Sequence, residues 1–227
     1  MKISKAELAK MIDSTNIKPD ATKEQIVKLC QDAVKYGFRC VAVNPTYVPL
    51  AAKLLKGSEV KVCTTVGFPY GATLPEVKAY EARKVVELGA EEIDMVMNIS
   101  AFKSGDYKLV KRDIEAVVAV KEQNPNVKVK VIIETGLLKT KEEKVKACKL
   151  VKEAKADFVK TSVGTFGKAT VEDVRLMRRV VGENFGVKAA GGIRTYQDAI
   201  RMIVAGANRI GTSTAVAIIE GAPGNLV

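Results

Sequence analysis

The sequence predicts a closed (β/α)8 barrel, the TIM-barrel architecture, with a short N-terminal helix ahead of the first strand, and three observations predict it. Short β-branched apolar runs alternate with amphipathic stretches of about a dozen residues, the alternation of a parallel sheet. Eight such runs occur in 227 residues, near the lower end of the usual size for eight βα units. No Pro-, Gly- or Ser-rich linker separates them, so residues 1–227 read as one domain. An open doubly wound sheet is the alternative.

In chain order, the predicted strands are 11–15, 40–44, 61–67, 92–98, 128–135, 157–162, 186–190 and 209–212. Helices between them begin at a Thr whose hydroxyl takes an orphan N–H, with an acid or amide three positions on. Thr22 with Gln25, Thr73 with Glu76, and Thr140 with Glu143 fit this capping box, and Thr170 with Asp173 and Thr195 with Asp198 are looser versions. Gly37, Gly89 and Gly206 stand where helices stop. After the fourth strand, Val110, Ile114, Val117 and Val118 keep the 3.6-residue period, which leaves Lys111, Asp113 and Glu115 on a solvent face.

Composition narrows the chemistry. The chain has no histidine, which removes Ser-His and Cys-His nucleophile systems and His-based zinc sites. The four cysteines, Cys30, Cys40, Cys63 and Cys148, form no CxxC pair, which suits buried reduced thiols and a cytoplasmic location; no metal is expected. The longest uncharged stretch, 62–75, is broken by Gly and Pro and is too short to span a membrane, and the charged N-terminus lacks the apolar centre of a secretory signal. A net charge of +11 comes from Lys and Arg scattered between acids, a solvated surface rather than a nucleic-acid stripe. The same field favours small anions.

Ionisable residues at strand ends carry the functional argument. Asp94 in EIDMVMN, Lys160 in DFVKTS and Lys188 in GVKAAGG interrupt apolar runs, a costly placement for a charge that is neither paired nor functional. Lysines on the sixth and seventh strands are neighbours in the barrel, and each cation disfavours protonation of the other. An amine nucleophile needs that, since an ordinary lysine is almost wholly protonated at neutral pH. After the last two strands, Gly191 and Gly192 in AAGGIRT, and Gly211, Thr212 and Ser213 in RIGTST, supply bare amides and hydroxyls for a phosphate cradle. GTFGKAT, beginning at Gly164, is not a nucleotide-binding P-loop, because its glycines are too close and Ala169 stands where Ser or Thr follows the lysine. Tyr47, Tyr80, Met95 and Met97 are read as packing.

At these residues the chain resembles the 2-deoxyribose-5-phosphate aldolase family, class I aldolases on a (β/α)8 barrel. IDSTNIKPDAT, VNPTYVPLAAKLLKG, VGFPYGAT, EIDMVMNI, KSGDY, KVIIET, ADFVKTS, VKAAGGIRT and RIGTS follow family segments in family order, nearly end to end. The resemblance implies reversible cleavage of 2-deoxyribose 5-phosphate to acetaldehyde and glyceraldehyde 3-phosphate, without a cofactor, in a homo-oligomer. It makes Lys160 the Schiff-base lysine, Lys188 the lysine that tunes it, and Asp94 the proton-relay carboxylate. Asp13 and Thr15 match positions at the end of the first strand, and the two glycine segments, with Gly164, match the phosphate site. Departures are also visible. Ser14 stands where many relatives carry His, Thr46 and Gly136 where many carry Cys, and Ala190 where Ser is frequent. The loop SVGTFGKAT is one residue shorter than in the family, with Val163 for Thr.

Two other readings use the same residues. A phosphosugar isomerase or synthase on this barrel needs a carboxylate base but no imine. A catalytically retired barrel binds polyanions through its basic surface.

Overall fold

The computed structural model describes residues 3–223. The short helix α1 (Lys5–Ala9) is closed by a capping box between Ser4 and Glu7. Eight strands follow: β1 (Ile12–Asn16), β2 (Cys40–Val43), β3 (Lys61–Val66), β4 (Glu92–Val96), β5 (Lys128–Ile132), β6 (Phe158–Lys160), β7 (Gly186–Ala190) and β8 (Arg209–Thr212). Each pairs in parallel with its neighbours in chain order and β8 closes on β1, so the predicted (β/α)8 barrel is the observed fold.

The helices between them are α2 (Lys23–Tyr36), α3 (Val48–Leu54), α4 (Pro75–Glu87), α5 (Ile99–Lys103), α6 (Tyr107–Val118), α7 (Lys141–Glu153), α8 (Val171–Val181), α9 (Tyr196–Val204) and α10 (Ala215–Glu220). Thr22, Thr140 and Thr195 close reciprocal capping boxes, and Thr170 accepts from the Asp173 N–H. Thr73 does not cap. Helix α4 begins at Pro75, whose ring presets the helical φ and whose missing N–H needs no acceptor, and Leu74 takes the cap position. Gly37 ends α2 in the left-handed conformation, and Gly89 and Gly206 follow their helices at positive φ.

Strands β7 and β8 run as predicted. β2 to β6 stop one to three residues before the predicted C-terminal ends, and β1 is shifted by one. The surplus residues leave the ladder at the C-terminal mouth, where they become the loops of the site. Ile, Val and Leu side chains facing the helices fill the core between barrel and helix ring. The solvent face expected for α6 is only partly so. Asp113 is fully buried, because its carboxylate receives the Lys78 ammonium at 2.7 Å and the Asn98 N–H at 3.0 Å. Met95 and Met97 pack in the core as expected and Tyr47 is half-buried, donating its hydroxyl to Ala21 O. Tyr80 is 59% exposed and does not pack. The four cysteines are free and buried, and among the described residues no helix is long and apolar enough to cross a membrane.

Candidate active site

The barrel interior holds charge where an ordinary barrel holds aliphatic layers. Register places Asp94 of β4 opposite Lys130 of β5, Lys160 of β6 opposite Lys188 of β7, and Lys188 opposite Arg209 of β8. Two-residue alternation then sends these side chains into the lumen, where burial removes them from bulk solvent. Among the described residues, four cations (Lys130, Lys160, Lys188, Arg209) meet three carboxylates (Asp13, Glu92, Asp94) there.

The pairing is uneven. Arg209 bridges Asp13 at 2.8 Å and Glu92 at 2.7 Å. Lys130 reaches Asp94 at 2.7 Å, Glu92 at 2.8 Å and the Cys63 sulfur at 3.1 Å. Lys188 reaches Asp13 and, at 2.7 Å, Asp94. Lys160 has one carboxylate contact, Asp94 Oδ2 at 2.6 Å, the same oxygen that holds Lys188. One cation is in excess of the acids, and the lysine with least compensation is the one to give up its proton.

The pKa directions follow. Burial depresses Lys160, helped by the Lys188 ammonium and opposed by Asp94. Lys188 is buried as deeply, yet Asp13 and Asp94 together raise it. Lys130 and Arg209 are raised by their carboxylates against the same desolvation. Burial opposes ionisation of Asp94 and Asp13, but three neighbouring cations in each case hold both carboxyls below the usual range. The neighbouring cation expected from sequence therefore acts on Lys160 as a lesser cause than burial.

Lys160 opens into a cleft of about 890 Å³ at the C-terminal mouth. Thr15, Val163, Gly164, Thr165, Gly191, Gly192, Arg194, Gly211, Thr212 and Ser213 line it, so most residues predicted from sequence share one cavity. Asp13, Asp94 and Lys188 lie among the buried charges of the lumen that Lys160 joins. Gly191 and Gly192 have φ of 100° and 77°, conformations that favour glycine. A Cβ on Gly211 would stand 3.0 Å from Lys188 Cε, so this glycine also makes room for the lysine stem. The Thr212 hydroxyl is engaged within the mouth, donating to Ile193 O and accepting from the Thr214 N–H. Thr15 likewise donates to Asp13 O. Ser213 is exposed in the cleft.

Sequence reasoning missed Lys130, Glu92 and Arg209, which build the floor under Asp94 and Asp13. KVKVI and EIDMV place charges two residues apart, a spacing that reads as a strand with one wet face until the barrel closes. Gly136 is explained by the short loop after Lys160, since a Cβ there would meet Phe166 O at 2.6 Å and Gly167 Cα at 2.7 Å.

Comparisons with known proteins identify the family. The family described as DeoC/LacD family aldolase matches residues 8–221. The deoxyribose-phosphate aldolase of Thermococcus gammatolerans is 63% identical over 95% of this chain and 96% of its own length. That of Thermococcus kodakarensis is 61% identical over 97% and 99%. Among solved structures, the tetrameric deoxyribose phosphate aldolase of Aeropyrum pernix superposes with a TM-score of 0.89 at 36% identity, covering 96% of this chain and 91% of that one. By sequence over nearly its whole length, this chain belongs to the DeoC/LacD family of aldolases.

Proposed function

We propose that this chain cleaves 2-deoxyribose 5-phosphate reversibly to acetaldehyde and glyceraldehyde 3-phosphate through an imine at Lys160. The observation that carries the reading is the position of the Lys160 amine: buried, undercompensated, and open to the cleft. The neutral amine adds to the C1 aldehyde of the open-chain sugar, and loss of water gives a protonated imine. Its positive nitrogen accepts the electron pair of the C2–C3 bond as the C3 hydroxyl loses its proton. Glyceraldehyde 3-phosphate leaves, and the enamine on Lys160 is protonated at C2 and hydrolysed to acetaldehyde.

Asp94 and Lys188 meet at the oxygen that also holds Lys160, a position from which they hold a water that carries protons to and from the reacting carbons. Lys188 stays an ammonium while Lys160 deprotonates, so the two lysines divide the roles. The phosphate binds at Gly191, Gly192, Gly211, Ser213 and Gly164, with Thr212 holding the loop beneath it. Asp13 and Thr15 support Lys188 and the cleft wall. The chain works as a homo-oligomer in the cytoplasm; the tetrameric relative and the exposed Tyr70, Leu74, Val77 and Tyr80 of the α4 region support association.

Borohydride added with deoxyribose 5-phosphate traps a covalent adduct on Lys160, read by peptide mass, and Lys160→Leu loses both adduct and aldehyde release. A variant that keeps turnover without Lys160 would assign the chain to isomerase-like chemistry.

A further inference from the structure

Glu134 takes no part in the reaction above, yet its setting is special. It follows β5, where the ladder to β6 slips: the Ile133 N–H donates to Lys160 O, and the Thr135 N–H to Thr161 O instead of Ser162 O. Two residues here oppose one, a bulge, and Glu134 takes a left-handed φ of 53°. A glutamate keeps that conformation only where its surroundings hold it. The side chain is fully buried, and its Oε2 accepts from the Val163 N–H at 2.8 Å. The Gly136 N–H also faces the carboxyl, which joins the loops after β5 and β6, while Oε1 is enclosed without a partner.

The two loops lie backbone against backbone. A Cβ on Gly167 would stand 2.8 Å from Gly136 Cα and 3.1 Å from Glu134 Oε1. Val163, Gly164 and Thr165 of the upper loop are a wall of the cleft beside Lys160. We propose that Glu134 is a positioning residue: its carboxyl clamps the Val163 amide and fixes residues 163–168 as the wall against which the phosphorylated sugar binds. The substrate part rests on the aldolase reading; the clamp itself does not.

Two measurements separate them. Amide hydrogen exchange at Val163, which needs no substrate, becomes at least tenfold faster in Glu134→Ala and stays near the parent rate in Glu134→Gln, whose amide oxygen still accepts. Unchanged exchange in Glu134→Ala overturns the clamp. In turnover, KM for deoxyribose 5-phosphate rises about fivefold in Glu134→Ala, the loss of one hydrogen bond, with a smaller change in kcat, and Glu134→Gln recovers it. An equal KM in Glu134→Ala and the parent overturns the positioning role. Gly136→Ala, which displaces Phe166 O with Glu134 intact, reproduces both changes and carries the test if Glu134→Ala does not fold. Borohydride trapping on the parent reports separately on the imine.

Discussion

Lys160 and Lys188 hold the same oxygen of Asp94, at 2.6 and 2.7 Å, yet only Lys188 has a second carboxylate. The difference of one acid sets their pKa values moving in opposite directions at equal burial. One lysine is thereby biased toward the free amine, and the other remains a fixed positive charge beside it.

Lys188→Met tests this division. Removing that ammonium leaves three cations against three acids, so Lys160 becomes a required counter-charge and its pKa rises. Activity needs the neutral amine and grows as pH climbs through that pKa. The acid limb of the pH–rate profile therefore moves up, by about two pH units for a neighbouring charge. An unmoved limb, at whatever residual rate, would show that Lys188 does not tune Lys160.

Asp94→Asn makes the opposite electrostatic change. The lumen loses an anion, so Lys160 is pushed further toward the neutral amine and imine formation survives. The proton relay does not, and kcat falls about a hundredfold to ten-thousandfold, the range for a lost acid–base group. Borohydride trapping at the parent level with slow product release is the expected result. Loss of trapping would instead place Asp94 in the formation of the imine.

The barrel was legible in the sequence because period-two apolar runs and Thr-capped helices alternate without interruption. Asp94, Lys160 and Lys188 were legible because each breaks an apolar run near a strand end. Lys130 was not, since KVKVI reads equally as a strand with one wet face; only closure of the barrel removes that face and forces Lys130 onto Asp94. Asp113 was hidden for a related reason. Helical period assigns it to solvent, and what buries it is Lys78 on a different helix, 35 residues away, a pairing no local pattern encodes. Strand ends were overextended because Met97 and Ile133 continue the buried apolar runs past the last ladder pairs at Val96 and Ile132.

Lys78 and Asp113 form a buried pair outside the cleft, and burial shifts both against ionisation, lowering the lysine and raising the acid despite their contact. Desolvation thus outweighs attraction, and the pair resists disruption from one side only. Lys78→Met strands a buried carboxylate and costs about 3–5 kcal/mol. Lys78→Met with Asp113→Asn costs less than the single change, because the amide that replaces the carboxylate is neutral and still accepts from the Asn98 N–H. Urea denaturation of the parent and both variants measures this, and additive losses would contradict it.

Lys160 itself carries a stability cost whose pH dependence has a definite sign. Its folded-state pKa lies below the unfolded value of about 10.4. Between the two values the unfolded chain binds the extra proton, so each step down in pH through this window favours the unfolded chain, and the native state is weakest, by the full penalty of a buried excess charge, below the folded pKa. Lys160→Met removes the penalty while Asp94 keeps Lys130 and Lys188. The variant is therefore more stable than the parent at pH 7, and the gap narrows as pH rises through the window between the folded and unfolded values. The buried thiols Cys30, Cys40 and Cys148, all raised by burial, pull the other way above about pH 8.5. They do so in both proteins and cancel in the difference. Lys188→Met behaves oppositely at pH 7, because Asp13 and Asp94 lose a cation they need, and its denaturation midpoint falls below that of the parent. Equal midpoints for the two lysine variants would mean that the lumen does not distinguish its charges in the way the contacts require.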